Sequence, residues 1–191
     1  MAITIRQFEE KDIPAKVRWV NDPKNNTYLH YDLPLQEDKT LLWFDSHKGE
    51  DTRYDAVIEA DGVPVGLIGL LDVDQKNKKA EYYILLGENS YKGKGIAKKA
   101  SELLLDHAFN TLHLNRVYLY TEVENISAQR LFERVGFKEE GRVRQDLFSK
   151  ERFVDRIMYG LLQNDYINGG VLANPVFLCS LPEYEFGCIA A

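Results

Sequence analysis

The period of the apolar positions changes several times along the chain, and each change marks an element. Ile3 to Gln7 alternates as a short strand, and Glu10 to Val20 has helical spacing that Asn21-Asp22-Pro23 ends, since proline cannot continue a helix. Residues 22–35 contain two prolines and read as a loop; Thr40-Leu41-Leu42-Trp43-Phe44 opens a second helix with Thr40 as its cap. Ala56 to Ala60 and Val65 to Val73, joined by Asp61-Gly62, form a hairpin. A polar turn, Asp74 to Lys79, leads into a strand from Ala80 to Leu86. A long helix follows from Lys94 to Thr111, with Ile96, Ala100, Leu103, Leu104 and Ala108 on one face. Arg116 to Val123 is a strand. Asn125 then caps a helix that Gly136 stops, and two strands complete the pattern near Phe137 to Arg144 and Phe153 to Leu161.

Strands interleaved with two crossover helices fit an α/β three-layer domain on a mixed sheet. Its bounds are read as residues 1–166. From Ile167 the periodicity is lost: Asn168-Gly169-Gly170 reads as a hinge, and residues 167–191 form a C-terminal tail that is apolar without a helical period. Packing on the body, pairing with another subunit and remaining free all stay open for this tail. At 191 residues one domain with a substantial core is expected, and 45% apolar with 28% charged residues is ordinary globular composition.

Charge and cysteine content narrow the function. A net charge of −6 argues against a general nucleic-acid binder. No run has the length of a membrane span, and the N-terminus lacks signal-peptide architecture, so the expected location is cytoplasmic. Cys179 and Cys188 both lie near the end, leaving the body without a disulfide framework, and no metal is expected.

Against this acidic background, Lys92-Gly93-Lys94-Gly95-Ile96-Ala97 joins a strand to a helix N-terminus, with Lys98 and Lys99 adding to a local basic cluster. Backbone N–H groups unpaired within the helix converge there, an arrangement suited to a phosphate. A Walker A loop is set aside because counting from Gly87 puts Lys92 where its second glycine belongs. A dinucleotide fingerprint is set aside because Lys98 fills its third glycine slot. Lys92, Gly95 and Ala97 in Lys-x-x-Gly-x-Ala resemble the Arg/Gln-x-x-Gly-x-Gly/Ala loop of the GNAT superfamily of N-acetyltransferases, with Lys92 the departure. A second segment, Asn125 to Phe137, resembles that family's Asn-x-x-(Ala/Ser)-x-x-x-(Tyr/Phe)-x-x-x-Gly-Phe signature, with Ala128, Leu131, Phe132 and Val135 on one face.

The resemblance implies a mixed, mostly antiparallel sheet flanked by helices, acetyl-CoA as co-substrate, and direct transfer of its acetyl group to a primary amine in a ternary complex. It places the pantetheine arm along the backbone of Ile84, Leu85 and Leu86, and the pyrophosphate on the N–H groups from Gly93 through Lys94, Gly95 and Ile96 to Ala97. Asn125 either holds the pantetheine or serves only as a cap. Glu81 is the candidate general base, the alternative being an exposed strand carboxylate. Phe132 occupies the cofactor-side position where many relatives carry a tyrosine thought to protonate the leaving sulfur; phenylalanine has no proton to give. Ser127 is therefore the candidate sulfur contact, with unassisted thiolate departure the alternative and Tyr82, Tyr83 and Tyr91 of lower rank.

Trp19-Val20-Asn21-Asp22-Pro23 resembles a segment of amino-sugar and ribosomal-protein acetyltransferases. Glu140-Gly141-Arg142-Val143-Arg144, followed by Asp155 and Met158, resembles the ending of that branch and of spermidine acetyltransferases. The acceptor site of such proteins corresponds to residues 19–44, which include His30, Tyr31 and Asp32. A small amine such as an amino-sugar nucleotide is the expected acceptor. The alternatives are a protein N-terminus, a polyamine, or a CoA-binding sensor without catalysis. By analogy with that branch, a homodimer is expected.

Overall fold

The computed structural model describes residues 1–168; the expected hinge glycines and the tail from residue 169, with Cys179 and Cys188, lie outside the described residues. One seven-stranded sheet runs in the order β1-β2-β3-β4-β5-β7-β6, with β1 Ile3–Gln7, β2 Tyr54–Ala60, β3 Val63–Asp74, β4 Lys79–Leu86, β5 Arg116–Glu122, β6 Lys138–Ser149 and β7 Arg152–Leu162. Every neighbouring pair is antiparallel except β4 and β5. The expected mixed, mostly antiparallel sheet is what forms.

Alternation along the strands sends side chains to two helical layers. Ala56, Ile58 and Ala60 of β2 join a core with Ile96, Ala100, Leu104 and Leu105 of α3 (Ile96–Asp106) and with Phe132 and Val135 of α4 (Ile126–Val135). Val57, between them, turns to the opposite face and packs with Ile13 and Trp19 of α1 (Ile13–Asn21) and with Leu41, Trp43 and Phe44 of α2 (Glu37–Ser46). Buried Lys16 on α1 sits with its Nζ 3.3 Å from the Trp43 ring centroid, and burial lowers its pKa to about 8.

Element boundaries differ from the expected ones for identifiable reasons. α2 begins at Glu37, so Thr40 is no cap; it is buried in the first turn and its hydroxyl donates to the Gln36 carbonyl at 2.7 Å. Glu37 and Asp38 then lie at the positive end of the helix dipole. The first helical stretch splits into a 3-10 turn, Glu10–Asp12, and α1, because Pro14 lacks an N–H and fits only a first turn. The long helix starts at Ile96, with glycine at its N-cap, and its last five residues, His107–Thr111, widen into a π turn. A short helix, α5 Gln163–Asn168, had no counterpart in the pattern; Tyr166 anchors it by packing on Phe109 and donating to the Glu102 carbonyl at 3.2 Å.

Candidate active site

The parallel pair β4–β5 is hydrogen-bonded only at its start, where Lys79, Ala80 and Glu81 face Arg116, Val117 and Tyr118. Both strands continue, β4 to Leu86 and β5 to Glu122, without pairing again. A wedge therefore opens in the middle of the sheet, with the edge of β4 from Tyr82 to Leu86 lacking a strand partner among the described residues. Unpaired main-chain groups beside a core invite an extended ligand that supplies the missing hydrogen bonds. Ile84, Leu85 and Leu86, the expected pantetheine strand, line that edge.

At the far end of β4 the chain turns into α3. Gly93 and Gly95 adopt φ of +77° and +79°, a region that other residues rarely enter, and a Cβ on either would meet nothing within 4 Å. Gly95 is the N-cap of α3, and no side chain caps that helix. The first-turn N–H groups are thus open toward solvent beside exposed Lys92, Lys94 and Gly95, with Ala97 half-buried and Ile96 turned into the core. This cradle fits a pyrophosphate, being both accessible and short of acceptors. The basic cluster is smaller than the sequence suggests: Lys98 and Lys99 are paired with Glu102 one turn along, at 2.6 and 3.4 Å. Lys92 Nζ donates to Asn25 Oδ1 at 2.6 Å, and Lys94 Nζ lies 5.3 Å from the Tyr91 ring centroid.

The Trp19–Pro23 segment, expected on the acceptor side, supports this cradle. Trp19 is buried and its indole N–H donates to Glu88 Oε1 at 2.8 Å, which Arg18 also bonds at 2.7 Å. Asn89 Nδ2 donates to Asp22 Oδ2 at 3.1 Å. Asn25, just beyond, donates to the carbonyls of Trp19 and Gly87. Asn25 and Glu88 carry no local signal in the sequence: apart from the Trp19 carbonyl, the partners of their side chains are more than sixty residues away.

Glu81 is half-buried at the last paired position before the wedge. Burial raises its pKa, Arg156 opposes that, and Asp72 and Asp146 add to it. Tyr83, on the same face, donates to Asp55 Oδ1 at 2.5 Å; Gly69 makes room for its ring, since a Cβ there would come within 2.5 Å of it. On β5, Arg116, Tyr118, Tyr120 and Glu122 share one face, and Arg156 of β7 stacks on Tyr120 at 4.5 Å while bound to Asp146.

Asn125 caps α4: its Oδ1 accepts from the Ala128 N–H at 3.2 Å and from the Ser127 hydroxyl at 3.1 Å. Its Nδ2 makes no hydrogen bond among the described residues, so capping and a ligand contact are compatible. Ser127 is exposed beside it. Phe132 is 6% exposed in an aromatic cluster with Tyr82, Phe137 and Tyr159. Tyr82 is likewise enclosed, hydrogen-bonded to Ser101 at 2.7 Å, and burial pushes its pKa far up.

A cleft of about 140 Å³ opens beside the end of β5, lined by Thr27, Tyr28, Glu122, Glu124, Ser149, Lys150, Arg152 and Val154. Tyr28 ties the loop after α1 to β5 by donating to the Glu124 carbonyl at 3.1 Å, and Lys150 of the β6–β7 turn donates to the Thr27 carbonyl at 2.6 Å. His30 reaches the same place, its Nε2 3.6 Å from Glu122. Tyr31 instead lies nearer Asp55, its pKa raised by burial first and by that carboxylate second. No cluster of three His, Cys, Asp or Glu that could hold a metal occurs among the described residues.

The model of a family described as an acetyltransferase (GNAT) domain matches residues 2–138. The chain belongs to the GNAT acetyltransferase family. It is similar to an uncharacterised N-acetyltransferase, p20, of Bacillus licheniformis, with 30% identity over 86% of this chain and 94% of that one. The spermidine N(1)-acetyltransferase of Escherichia coli K12 is 26% identical over 87% of this chain and 89% of its own. A crystal structure of spermidine N-acetyltransferase from Vibrio cholerae in complex with CoA and spermine superimposes with a TM-score of 0.81 at 28% identity, covering 87% of this chain and 98% of that one. This GNAT protein is accordingly an N-acetyltransferase that moves the acetyl group of acetyl-CoA to an amine. Among the described residues no helix is long and apolar enough to cross a membrane.

Proposed function

We propose that the acceptor is a small polyamine, and that acetyl transfer takes place in the wedge between β4 and β5. The observation that carries this reading is half-buried Glu81 at the last paired position before the wedge, where Asp72 and Asp146 add negative charge and Arg156, bound to Asp146, opposes it. A primary ammonium, with an ordinary pKa near ~10, is attracted by such a face and must lose a proton before it can attack. The likeness to spermidine acetyltransferases, over most of both chains, supports the same acceptor class. This reading displaces the amino-sugar nucleotide as first choice, because a nucleotide diphosphate would meet like charge on that face.

In this reading the N–H groups from Gly93 to Ala97 hold the pyrophosphate, with Lys92 and Lys94 beside it, and the open edge of Ile84 to Leu86 pairs with the pantetheine. Asn125 Nδ2 donates to the same arm. The ammonium proton passes to Glu81, directly or through water; burial, by weakening the carboxylate's acidity, makes it a better acceptor near neutral pH. The amine nitrogen bonds to the acetyl carbon as the carbon–sulfur bond breaks, and the electron pair leaves on sulfur. A thiol with a pKa around ~8.5 is a fair leaving group without assistance. Ser127 is the sulfur contact, needing only a turn of its hydroxyl away from Asn125 Oδ1. Buried Phe132 shapes the wall beneath.

We further place the enzyme in the cytoplasm, as a homo-oligomer whose smallest unit is a dimer, with residues 1–166 as the catalytic domain. The acceptor reading is tested by thiol release from acetyl-CoA with spermidine, spermine, an amino-sugar nucleotide and a short peptide offered at equal concentration. Polyamines should support the fastest release; a clear preference for sugar or peptide would replace them as the acceptor class.

A further inference from the structure

The acidic face around Glu81 accounts for one amine of an acceptor, yet the 140 Å³ cleft beside it contains a carboxylate that the transfer itself does not use. Glu122 ends β5 with its side chain only 6% exposed, and its carboxylate accepts no hydrogen bond from the described residues. Its nearest bases stand beyond hydrogen-bond distance: His30 Nε2 at 3.6 Å and Arg152 at 3.8 Å. The other bases around it are engaged elsewhere. Arg152 is hydrogen-bonded to Glu124 at 3.1 Å, Lys150 to the Thr27 carbonyl at 2.6 Å, and Arg156, the register partner of Glu122 on β7, is bound to Asp146 at 2.5 Å. Burial lowers the pKa of His30, so near neutral pH it is largely uncharged. The cleft thus contains a buried carboxylate beside the Thr27 and Ser149 hydroxyls, and what it lacks among the described residues is a cationic donor within hydrogen-bond distance.

We propose that Glu122 is a specificity residue that anchors a second protonated nitrogen of the acceptor. Resting on the polyamine reading above, this assigns the acceptor at least two amines. Glu81 stands opposite Tyr118, and Glu122 is four residues further along β5, so the two carboxylates are separated by about 13 Å of strand. An extended chain bearing amines several methylenes apart spans that interval, with one nitrogen at the wedge and another in the cleft. Tyr28 and Lys150 fasten the loop after α1 over the cleft, so the second nitrogen would be enclosed rather than left in open water.

The test compares spermidine with n-butylamine, which has one nitrogen, in wild type and Glu122→Gln. The ratio of their kcat/KM values should fall at least tenfold in the variant, through a higher spermidine KM with little change in its kcat. An unchanged ratio, or a parallel loss for both amines, would overturn the assignment and leave Glu122 a structural residue. Thermal melting checks that the variant folds. Should it not, Arg152→Gln, an exposed change that removes a competing cation, should lower the spermidine KM; an unchanged or higher KM would refute the anchor. Wild type that acetylates no polyamine while accepting other amines would refute the polyamine reading itself, whereas a spermidine-active wild type with an unaltered variant refutes only the role of Glu122.

Discussion

Asn25 Nδ2 donates to the Gly87 carbonyl oxygen at 2.8 Å while Asn25 Oδ1 accepts from Lys92 Nζ at 2.6 Å, so one side chain fastens both ends of the segment between β4 and α3 to the end of α1. Asn25 and Gly87 are 62 positions apart, and their contact fixes the glycine turn proposed as the phosphate cradle. Trp19 completes the brace from beneath, through its bond to Glu88.

That brace leaves no room at Gly87. A Cβ there would come within 2.1 Å of the Trp19 ring. Gly87→Ala should cost about 1–3 kcal/mol of stability and weaken acetyl-CoA binding together, because the indole and the turn must shift as one. Chemical denaturation and calorimetric titration of the variant measure the two effects.

The Gly95 position separates binding from folding. Its φ of +79° strains a β-branched residue, while the space a Cβ would enter is empty. Gly95→Val should cost on the order of 1–2 kcal/mol of stability and reduce acetyl-CoA affinity at least tenfold, since the new side chain would stand in the proposed pyrophosphate site. Titration with acetyl-CoA decides; normal affinity in a folded variant would move the phosphate site elsewhere.

Glu81→Gln should lower kcat about a hundredfold and leave acetyl-CoA binding unchanged. As the proposed base Glu81 works in its carboxylate form, and its pKa is raised, so wild-type activity should climb with pH through a limb lying above the ordinary value of 4.5. That limb should vanish in the glutamine variant, and a pH–rate profile of kcat/KM checks it. Folded Glu81 also holds its proton more tightly than the unfolded chain does, so its ionisation opposes folding as pH rises through the shifted value. The variant should therefore melt no lower than wild type at pH 7.

Asp12 gives the opposite sign. Burial alone would raise its pKa, but the hydrogen bonds from Arg6 at 2.7 and 2.8 Å and from the Glu9 N–H outweigh it and leave it lowered. Its contribution to stability is present above the unfolded value of 3.8 and is lost as pH falls through the lower folded value. Asp12→Ala should cost about 2 kcal/mol at pH 7, leaving the Arg6 guanidinium without its bidentate partner, and progressively less as pH falls below 3.8. Denaturant midpoints across that pH range report it.

Local chemistry made part of the molecule legible in the sequence. The strand from Ala80 to Leu86, the glycine turn and the capped helix from Asn125 to Gly136 are encoded by residues adjacent in the chain, and all three form as the pattern predicts. The separation of β4 from β5 is not encoded this way: each strand reads as continuous, and only their long-range register shows pairing ending at Glu81 and Tyr118. Thr40 has the chemistry of a cap, but Gln36, in an extended conformation, ends the loop four residues earlier. Lys98 and Lys99 add to the basic cluster in the sequence, yet in the fold Glu102, one turn away, neutralises them. Glu122 carried a faint signal, as the last member of the alternating polar face Arg116, Tyr118, Tyr120 on β5, while its burial comes from the loop after α1 and the β6–β7 turn.

The central claim is direct transfer from acetyl-CoA to a polyamine within one ternary complex. Initial rates measured over a matrix of acetyl-CoA and spermidine concentrations, with the product identified by mass, test it most directly. Intersecting double-reciprocal lines and a monoacetylated spermidine are the predicted result. Parallel lines, the mark of a covalent acetyl-enzyme, or thiol release that spermidine does not accelerate, would contradict it.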